Sequence, residues 1–289
     1  IYAKMVLKVG TKRYWEQWAD DIAKIAQKHI NRIQAAIKEN DDYKTGFGMY
    51  MEGLHKNINP NITEQAAIEM LAQHFIAKPV FDALFENYSF VESNPVSKSM
   101  KNLLDLMQDD AFDKEQQDVM ERFYKSVKER CEGIDNAAGK QKVIVELYDK
   151  FFKKALAKTV EKLGIVYTPV EVVDFINRSV ADVLRKEFKR SISDENIHII
   201  DPFTGTGTFI TRLLQSGLIK LQDIERKYKY ELHANEIVLL AYYIASINIE
   251  NAFHDVAKQE NGSYTPFDGI CLTDTFQMYE DKDNDVERL

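Results

Sequence analysis

Two fold classes follow one another along this chain: α plus α/β, an all-helical N-terminal domain and then an α/β domain built on a parallel sheet. Three observations predict this. Apolar residues recur at three- and four-residue spacing through most of the first 160 positions, the period of helices with one buried face. The stretch Ile199–Leu214, IIDPFTGTGTFITRLL, runs from β-branched residues through Gly205 and Gly207 into a helix-compatible segment, which reads as strand, glycine turn and helix. Two further strand-like segments, Tyr230–Ala234 and Gly269–Thr273, each run into acidic residues.

A length of 289 residues leaves room for two domains, and 45% apolar with 29% charged residues describes a globular chain. No apolar run approaches the roughly 20 residues of a membrane span and no signal peptide precedes the first segment, so a cytoplasmic protein without a membrane partner is expected. The net charge of −8 excludes a surface that tracks nucleic-acid phosphates throughout. Any DNA partner would meet a local basic surface or a part outside this chain. Cys131 and Cys271 lie far apart without histidines at ligand spacing, so no disulfide or zinc site is expected and both are read as buried apolar groups. His29, His55 and His74 likewise lack partners at helical spacing, so no metal is expected. The start at Ile1 without methionine and the acidic stretch Glu280–Glu287 read as an excerpt of a longer chain.

Ile1–Val9 is β-branched enough for a strand, so residues 1–10 are read as the end of an upstream domain. From Arg13 to Ile37 the positions Trp15, Trp18, Ile22, Ile25, Ile30 and Ile33 predict one long amphipathic helix, with the tryptophans as core anchors. A turn is expected over Asp41–Gly48 and a short helix over Met49–Leu54. Thr63 is placed to cap a helix over Glu64–Ala77, and Pro79 is expected to break it before a further turn to Phe85. Helices at Ser97–Met107, Lys114–Glu132 and Lys140–Leu163 complete a helical domain over residues 11–160, in which nothing has catalytic spacing.

Glycine in the Gly205–Gly207 turn permits positive φ or the close approach of a ligand, which would sit at the carboxyl end of the strand and the start of the helix. A P-loop is excluded because the Gly-Lys-Ser/Thr ending is missing. A dinucleotide fingerprint needs a third small residue where Ile210 stands. The carboxylate of Asp201 repels a pyrophosphate but suits an ammonium group, as on the amino-acid end of S-adenosylmethionine. Upstream, Thr168 reads as an N-cap with Pro169 first and Glu171 third in the next helix. Glu236, after the second strand, is placed to accept both hydroxyls of a ribose. Its distance from Gly207 exceeds the usual interval of about 20 residues, which implies an insertion over Leu218–Lys229.

These segments resemble the adenine-specific DNA methyltransferases. Asp-Pro-Phe-Thr-Gly-Thr-Gly-Thr-Phe, Asp201–Phe209, resembles their motif I, with Phe203 where many members have a small residue. Gly-Ile-Val-Tyr-Thr-Pro, Gly164–Pro169, resembles motif X. Asn235 and Glu236 resemble motif II, the helix Ile237–Asn251 resembles the family's helix after it, and Asp274 with Thr275 stands at the motif III strand end. The resemblance implies a Rossmann-like domain that binds S-adenosylmethionine. It implies cofactor contacts for Val166, Tyr167, Thr168, Pro169, Asp201, Pro202, Phe203, Gly205, Gly207, Thr208, Phe209, Asn235, Glu236, Ile237, Asp274 and Thr275, with Asp274 on the adenine amine.

The family's catalytic Pro-Pro motif follows its fourth strand, and none of the six prolines of this chain is adjacent to another. No catalytic residue is therefore assigned, residues 161–289 are read as the first half of the methyltransferase domain, and the chain alone is expected to transfer no methyl group. The helical part, Ile62–Phe85 included, resembles the coupler of single-chain, ATP-driven type ISP restriction–modification enzymes. That implies a helicase-like ATPase, a nuclease and a target-recognition domain in the same polypeptide, with DNA as partner. The alternatives are a helical interaction module fused to a nucleoside-binding domain, an NAD-dependent enzyme, or a methyltransferase of protein or RNA.

Overall fold

The computed structural model describes residues 12–84, 168–257 and 264–276, with isolated helical positions between 96 and 125. The expected strand Ile1–Val9, most of the three helices between Ser97 and Leu163, and the side chains of Trp15 and Trp18 lie outside the described residues. The chain divides into two compact units, Ile1–Gly164 and Ile165–Leu289. No helix among the described residues is long and apolar enough to cross a membrane.

The first unit packs α1 (Lys12–Glu39), α2 (Asp41–Asn57) and α3 (Glu64–Leu84) against one another. The long first helix is the one predicted, and Ile25, Ile30 and Ile33 on its apolar face are buried. In place of the expected turn at Asp41–Gly48, α2 starts at Asp41 and runs on as one helix. Asn40 explains this. Its side chain accepts from Asp42 N at 2.9 Å and Tyr43 N at 3.3 Å, and Asp41 and Asp42 face the positive end of the helix. With Phe47 and Leu54 buried on the same helix, these terms outweigh the roughly 1 kcal/mol each that Gly46 and Gly48 cost.

Thr63 Oγ1 accepts from Ala66 N at 3.2 Å, the expected cap of α3. The helix then continues through Pro79 instead of breaking. A proline there costs roughly 3 kcal/mol, and the buried run Ala67, Ile68, Leu71, Ala72, Ile76 and Ala77 offsets it. His29 and His74 are core residues, and burial pushes both down to about 4, so they stay neutral near pH 7.

The second unit is α4 (Val170–Phe188), β1 (Ile199–Asp201), α5 (Thr208–Gln215), β2 (Leu232–Glu236), α6 (Leu239–Ala257) and β3 (Ile270–Leu272). The strands form one parallel sheet in the order β1-β2-β3, with Ile200 opposite His233 and Ala234 opposite Ile270. Helix α6 is buried from Leu239 to Phe253 and packs on β2, β3 and α5, while α4 packs on α5. Such an all-round apolar helix belongs in a core. Period-2 alternation puts Ile200, His233 and Cys271 on one side of the sheet and Leu232, Ala234 and Ile270, all three buried, on the other. Cys271 is exposed for that reason, contrary to its expected burial; Cys131 lies outside the described residues.

The insertion between α5 and β2 anchors the amino ends of β1 and β2. It turns at Gly217 and winds through Leu221–Arg226 into a π-turn, Lys227–Glu231. Lys227, fully buried, donates to the carbonyls of Asp194 and Ile197, both at 2.7 Å, and pairs with Glu231 at 2.7 Å. Glu231 also takes Arg226 and the N–H of Asn196. At the far end of α6, Glu250 accepts from Phe267 N at 3.0 Å and Tyr264 Oη at 2.8 Å, which ties the helix to the segment entering β3. Burial pushes the Glu250 carboxyl up to about 8.

Candidate functional site

The turn after β1 is held from three sides. Gly207 N donates to Thr204 O at 3.0 Å, Thr204 N donates to Asn235 O at 3.0 Å across to β2, and Thr204 Oγ1 donates to Asp201 O at 2.9 Å. Gly205 and Gly207 both have left-handed backbones, with φ of 58° and 81°. They differ in what faces them. Among the described residues a Cβ at Gly205 would meet nothing within 4 Å, whereas one at Gly207 would lie 3.1 Å from Cα and O of Ala245 and 3.2 Å from Ile249 Cγ1. Gly205 therefore leaves its side of the turn open, and Gly207 is the glycine that lets α6 approach. Thr208 and Phe209 begin α5, and the Phe209 carbonyl accepts from Asn177 Nδ2 of α4 at 3.1 Å.

Three acids stand at the carboxyl ends of the three strands: Asp201, Glu236 and, just past β3, Asp274. Asp201 Oδ1 accepts from Phe203 N at 3.3 Å, but its Oδ2 is buried without a hydrogen-bond partner among the described residues. Burial raises its pKa above the ordinary carboxylate value. Glu236, 8% exposed, accepts from Gly205 N at 2.7 Å with Oε2 and from Val238 N at 2.7 Å with Oε1. Burial pushes it up to about 6, the backbone donors pull the other way, and the charge of Asp201 adds to the rise. The Ile237 N–H also bonds to this carboxylate, so three of its roughly four lone-pair positions are taken and one remains. Asp274 Oδ1 accepts from Phe276 N at 3.0 Å, and the Phe276 ring, 82% exposed, faces Phe203 with centroids 5.3 Å apart.

The remaining candidate residues divide between lining and support. Asn235 is buried, and its Nδ2 donates to Thr275 Oγ1 at 3.3 Å, which itself donates to Pro202 O at 2.7 Å. Asn235 and Thr275 thus clasp the three strand ends together. Ile237 is 38% exposed between β2 and α6. Val166 and Tyr167 lie outside the described residues. Thr168 is exposed and is not the helix cap; Pro169, at φ −56° and ψ 143°, takes that position one residue later, with no side-chain cap. The residue before a proline is held in extended backbone, so Thr168 stays outside the helix. The carbonyl of Pro169 accepts from Val172 N and Val173 N, both at 3.0 Å.

Comparison with known proteins matches residues 139–287 to the N-6 DNA Methylase family, just over half of the chain. The chain belongs to the N-6 DNA methylase family. Ahead of its methylase domain, residues 14–139 match the coupler domain of Type ISP restriction-modification enzymes. Similar solved structures include a nuclease-deletion mutant of the Type ISP restriction-modification enzyme LlaGI in complex with a DNA substrate mimic, 49% identical over 98% of this chain and 23% of that one, with a TM-score of 0.83. The ATP-dependent Type ISP enzyme LlaBIII bound to DNA is also 49% identical, over 97% of this chain and 19% of that one, with a TM-score of 0.83. A DrdV–DNA complex is 30% identical over 91% of this chain and 25% of that one, with a TM-score of 0.77. The chain thus spans about a quarter or less of the structures it matches. No curated protein matches it.

Within this methylase domain some residues behind the site escape sequence reading. The bidentate Asp174–Arg212 pair, at 2.8 and 2.6 Å, joins α4 to α5 beneath the turn. Neither residue carries a motif. Asn248, in the apolar helix after motif II, donates from Nδ2 to Thr206 O at 2.9 Å. Its signal was available: a carboxamide inside a mostly apolar, core-forming helix must find a partner.

Proposed function

We propose that this chain supplies the cofactor-binding part of an adenine-N6 DNA methyltransferase, joined to a helical coupler, within a single-chain restriction–modification enzyme. In this reading residues 11–160 are the coupler and residues 161–289 the first part of the methyltransferase. One observation carries it: the carboxyl ends of three parallel strands bring a buried, partnerless carboxylate oxygen on Asp201, an open glycine at Gly205 and the acids Glu236 and Asp274 to one turn. A partnerless buried oxygen at Asp201 fits an ammonium donor, and the open side of Gly205 fits the close approach of a nucleoside. Glu236 offers its remaining lone pair to a ribose hydroxyl, Asp274 an acceptor to an adenine amine, and Phe203 an apolar lip. Tyr167 and Thr168 would cover the methionine end. When bound, S-adenosylmethionine supplies the electrophilic methyl group; these residues orient it.

DNA is the proposed partner, by likeness to the DNA-bound LlaGI, LlaBIII and DrdV structures, and the cytoplasm the proposed compartment. The helicase-like ATPase, nuclease and target-recognition parts are proposed as further domains of the same polypeptide, with the coupler linking motor and methylase. Calorimetric titration tests the reading. S-adenosylmethionine and S-adenosylhomocysteine are expected to bind and NAD to leave no heat. Glu236→Ala should weaken binding by on the order of 1.5–3 kcal/mol, the value of a charge-assisted contact. Binding of NAD alone, or unchanged affinity in the variant, refutes it.

A further inference from the structure

Helix α6 is buried from Leu239 to Phe253, and Asn248, 2% exposed, sets a carboxamide in its middle. Burying such a group is costly unless it is bonded. Its Nδ2 donates to the carbonyl of Thr206 at 2.9 Å, inside the glycine turn and 42 residues away in sequence, while its Oδ1 has no partner among the described residues. Only the donor half of the side chain is used. At the next residue the backbone of α6 closes on Gly207, where the Cα and O of Ala245 lie 3.1 Å from the Cβ position.

We propose that Asn248 is a positioning residue that fixes the orientation of the Thr206–Gly207 peptide, and through it the glycine turn on which the nucleoside cofactor sits. The proposal rests on the cofactor reading above. In a trans peptide the C=O and the following N–H point opposite ways. With the Thr206 carbonyl drawn to α6, the Gly207 N–H is aimed at Thr204 O, 3.0 Å away, and Thr204 N–H is aimed at Asn235 O on β2, also 3.0 Å away. Gly207, at φ 81°, offers little resistance to rotation of that peptide. Rotation would unmake the Gly207–Thr204 bond, turn an acceptor to where the turn offers a donor, and move Gly205 with it. Asn248 blocks that rotation from behind the turn, without touching the ligand.

The test uses the full chain and two variants, Asn248→Asp, which keeps the shape without the donor, and Asn248→Ala. Amide hydrogen exchange over residues 203–209 is measured without ligand, with exchange along α6 as the folding control, and S-adenosylhomocysteine affinity is measured by calorimetry. Exchange in the turn should quicken and affinity fall by about tenfold or more, while α6 stays protected. Should Asn248→Asp fail to fold, Asn248→Ala decides by the same readouts. Wild-type exchange and affinity in the variants would overturn the proposal. So would exchange raised equally along α6, since Asn248 would then be an ordinary core residue. Failure of the wild-type chain to bind the ligand would instead sink the cofactor reading, and the exchange data would still decide the role of Asn248.

Discussion

Replacing Gly207 by alanine separates the two glycines of the turn by physical cause. At Gly207 an alanine takes a left-handed backbone at φ 81°, which costs about 1–2 kcal/mol. Its Cβ also meets Ala245 Cα and O at 3.1 Å and Ile249 Cγ1 at 3.2 Å. Two of those three atoms belong to the backbone of α6, so the helix itself must move, and overpacking of that kind costs about 1–3 kcal/mol. The sum is about 2–5 kcal/mol of stability for Gly207→Ala. At Gly205 the backbone term is present, with φ 58°, but no atom of the described residues lies within 4 Å of the Cβ position, so the loss should stop at about 1–2 kcal/mol. Gly205→Ala should instead lower cofactor affinity, because its methyl enters the open side of the turn. Urea denaturation followed by amide exchange in α6 gives the first comparison and calorimetry with S-adenosylhomocysteine the second. Adding Ile249→Ala should relieve part of the strain at Gly207 and none at Gly205. If the Gly207 variant is no less stable than the Gly205 variant, the assignment of Gly207 to helix packing is wrong.

Three further outcomes are expected. Asp201→Asn should weaken cofactor binding by about tenfold or more while leaving the melting temperature unchanged or higher, because the native Oδ2 is buried without a partner among the described residues; a fall in melting temperature with unaltered affinity would make Asp201 a structural residue. Burial pushes Glu236 up to about 6, above the 4.5 of an exposed glutamate, so the folded chain holds that proton more tightly than the unfolded one. Its contribution to stability is therefore best at low pH and is lost as the pH rises from about 4.5 through about 6, whereas affinity for a ribose runs the opposite way and falls as the carboxylate is protonated below about 6. Glu236→Gln should flatten that affinity profile, and a profile identical to wild type would remove Glu236 from the site. Thr275→Val removes the hydroxyl that joins Pro202 O to Asn235 Nδ2 and should cost about 1–3 kcal/mol of stability in urea; a loss of affinity without loss of stability would return Thr275 to the cofactor.

Local signals in the sequence located the elements well and their roles less well. The helix over Arg13–Ile37, the strand and glycine turn after Ile199, and the strands ending near Glu236 and Asp274 were legible because each rests on periodicity, glycine chemistry or a polar residue at an element end. The misreadings fall where a local preference met an opposing term. Gly46, Gly48 and Pro79 read as breaks, yet the Asn40 cap and the buried face of α3 outweigh them. Thr168 reads as a cap, yet the proline after it keeps it extended.

The deeper limit lies in what stands behind a residue. Gly207, Asn235 and Thr275 lie within segments expected to contact a ligand, and all three have a structural task that a linear pattern does not express: Gly207 admits α6, and the other two clasp strand ends. Asn248 is the converse case, outside every motif and yet bonded to the turn. A sequence motif records that a position is constrained. Whether the constraint comes from the ligand in front or from the helix behind depends on which element packs there, and for this turn that element is α6, some 40 residues further along the chain. Residues on the buried side of α6 should therefore alter cofactor affinity through the turn, as Asn248 is proposed to do, whereas exposed substitutions on α4 such as Phe175→Ser, at a site 70% exposed and without a described contact to the turn, should not.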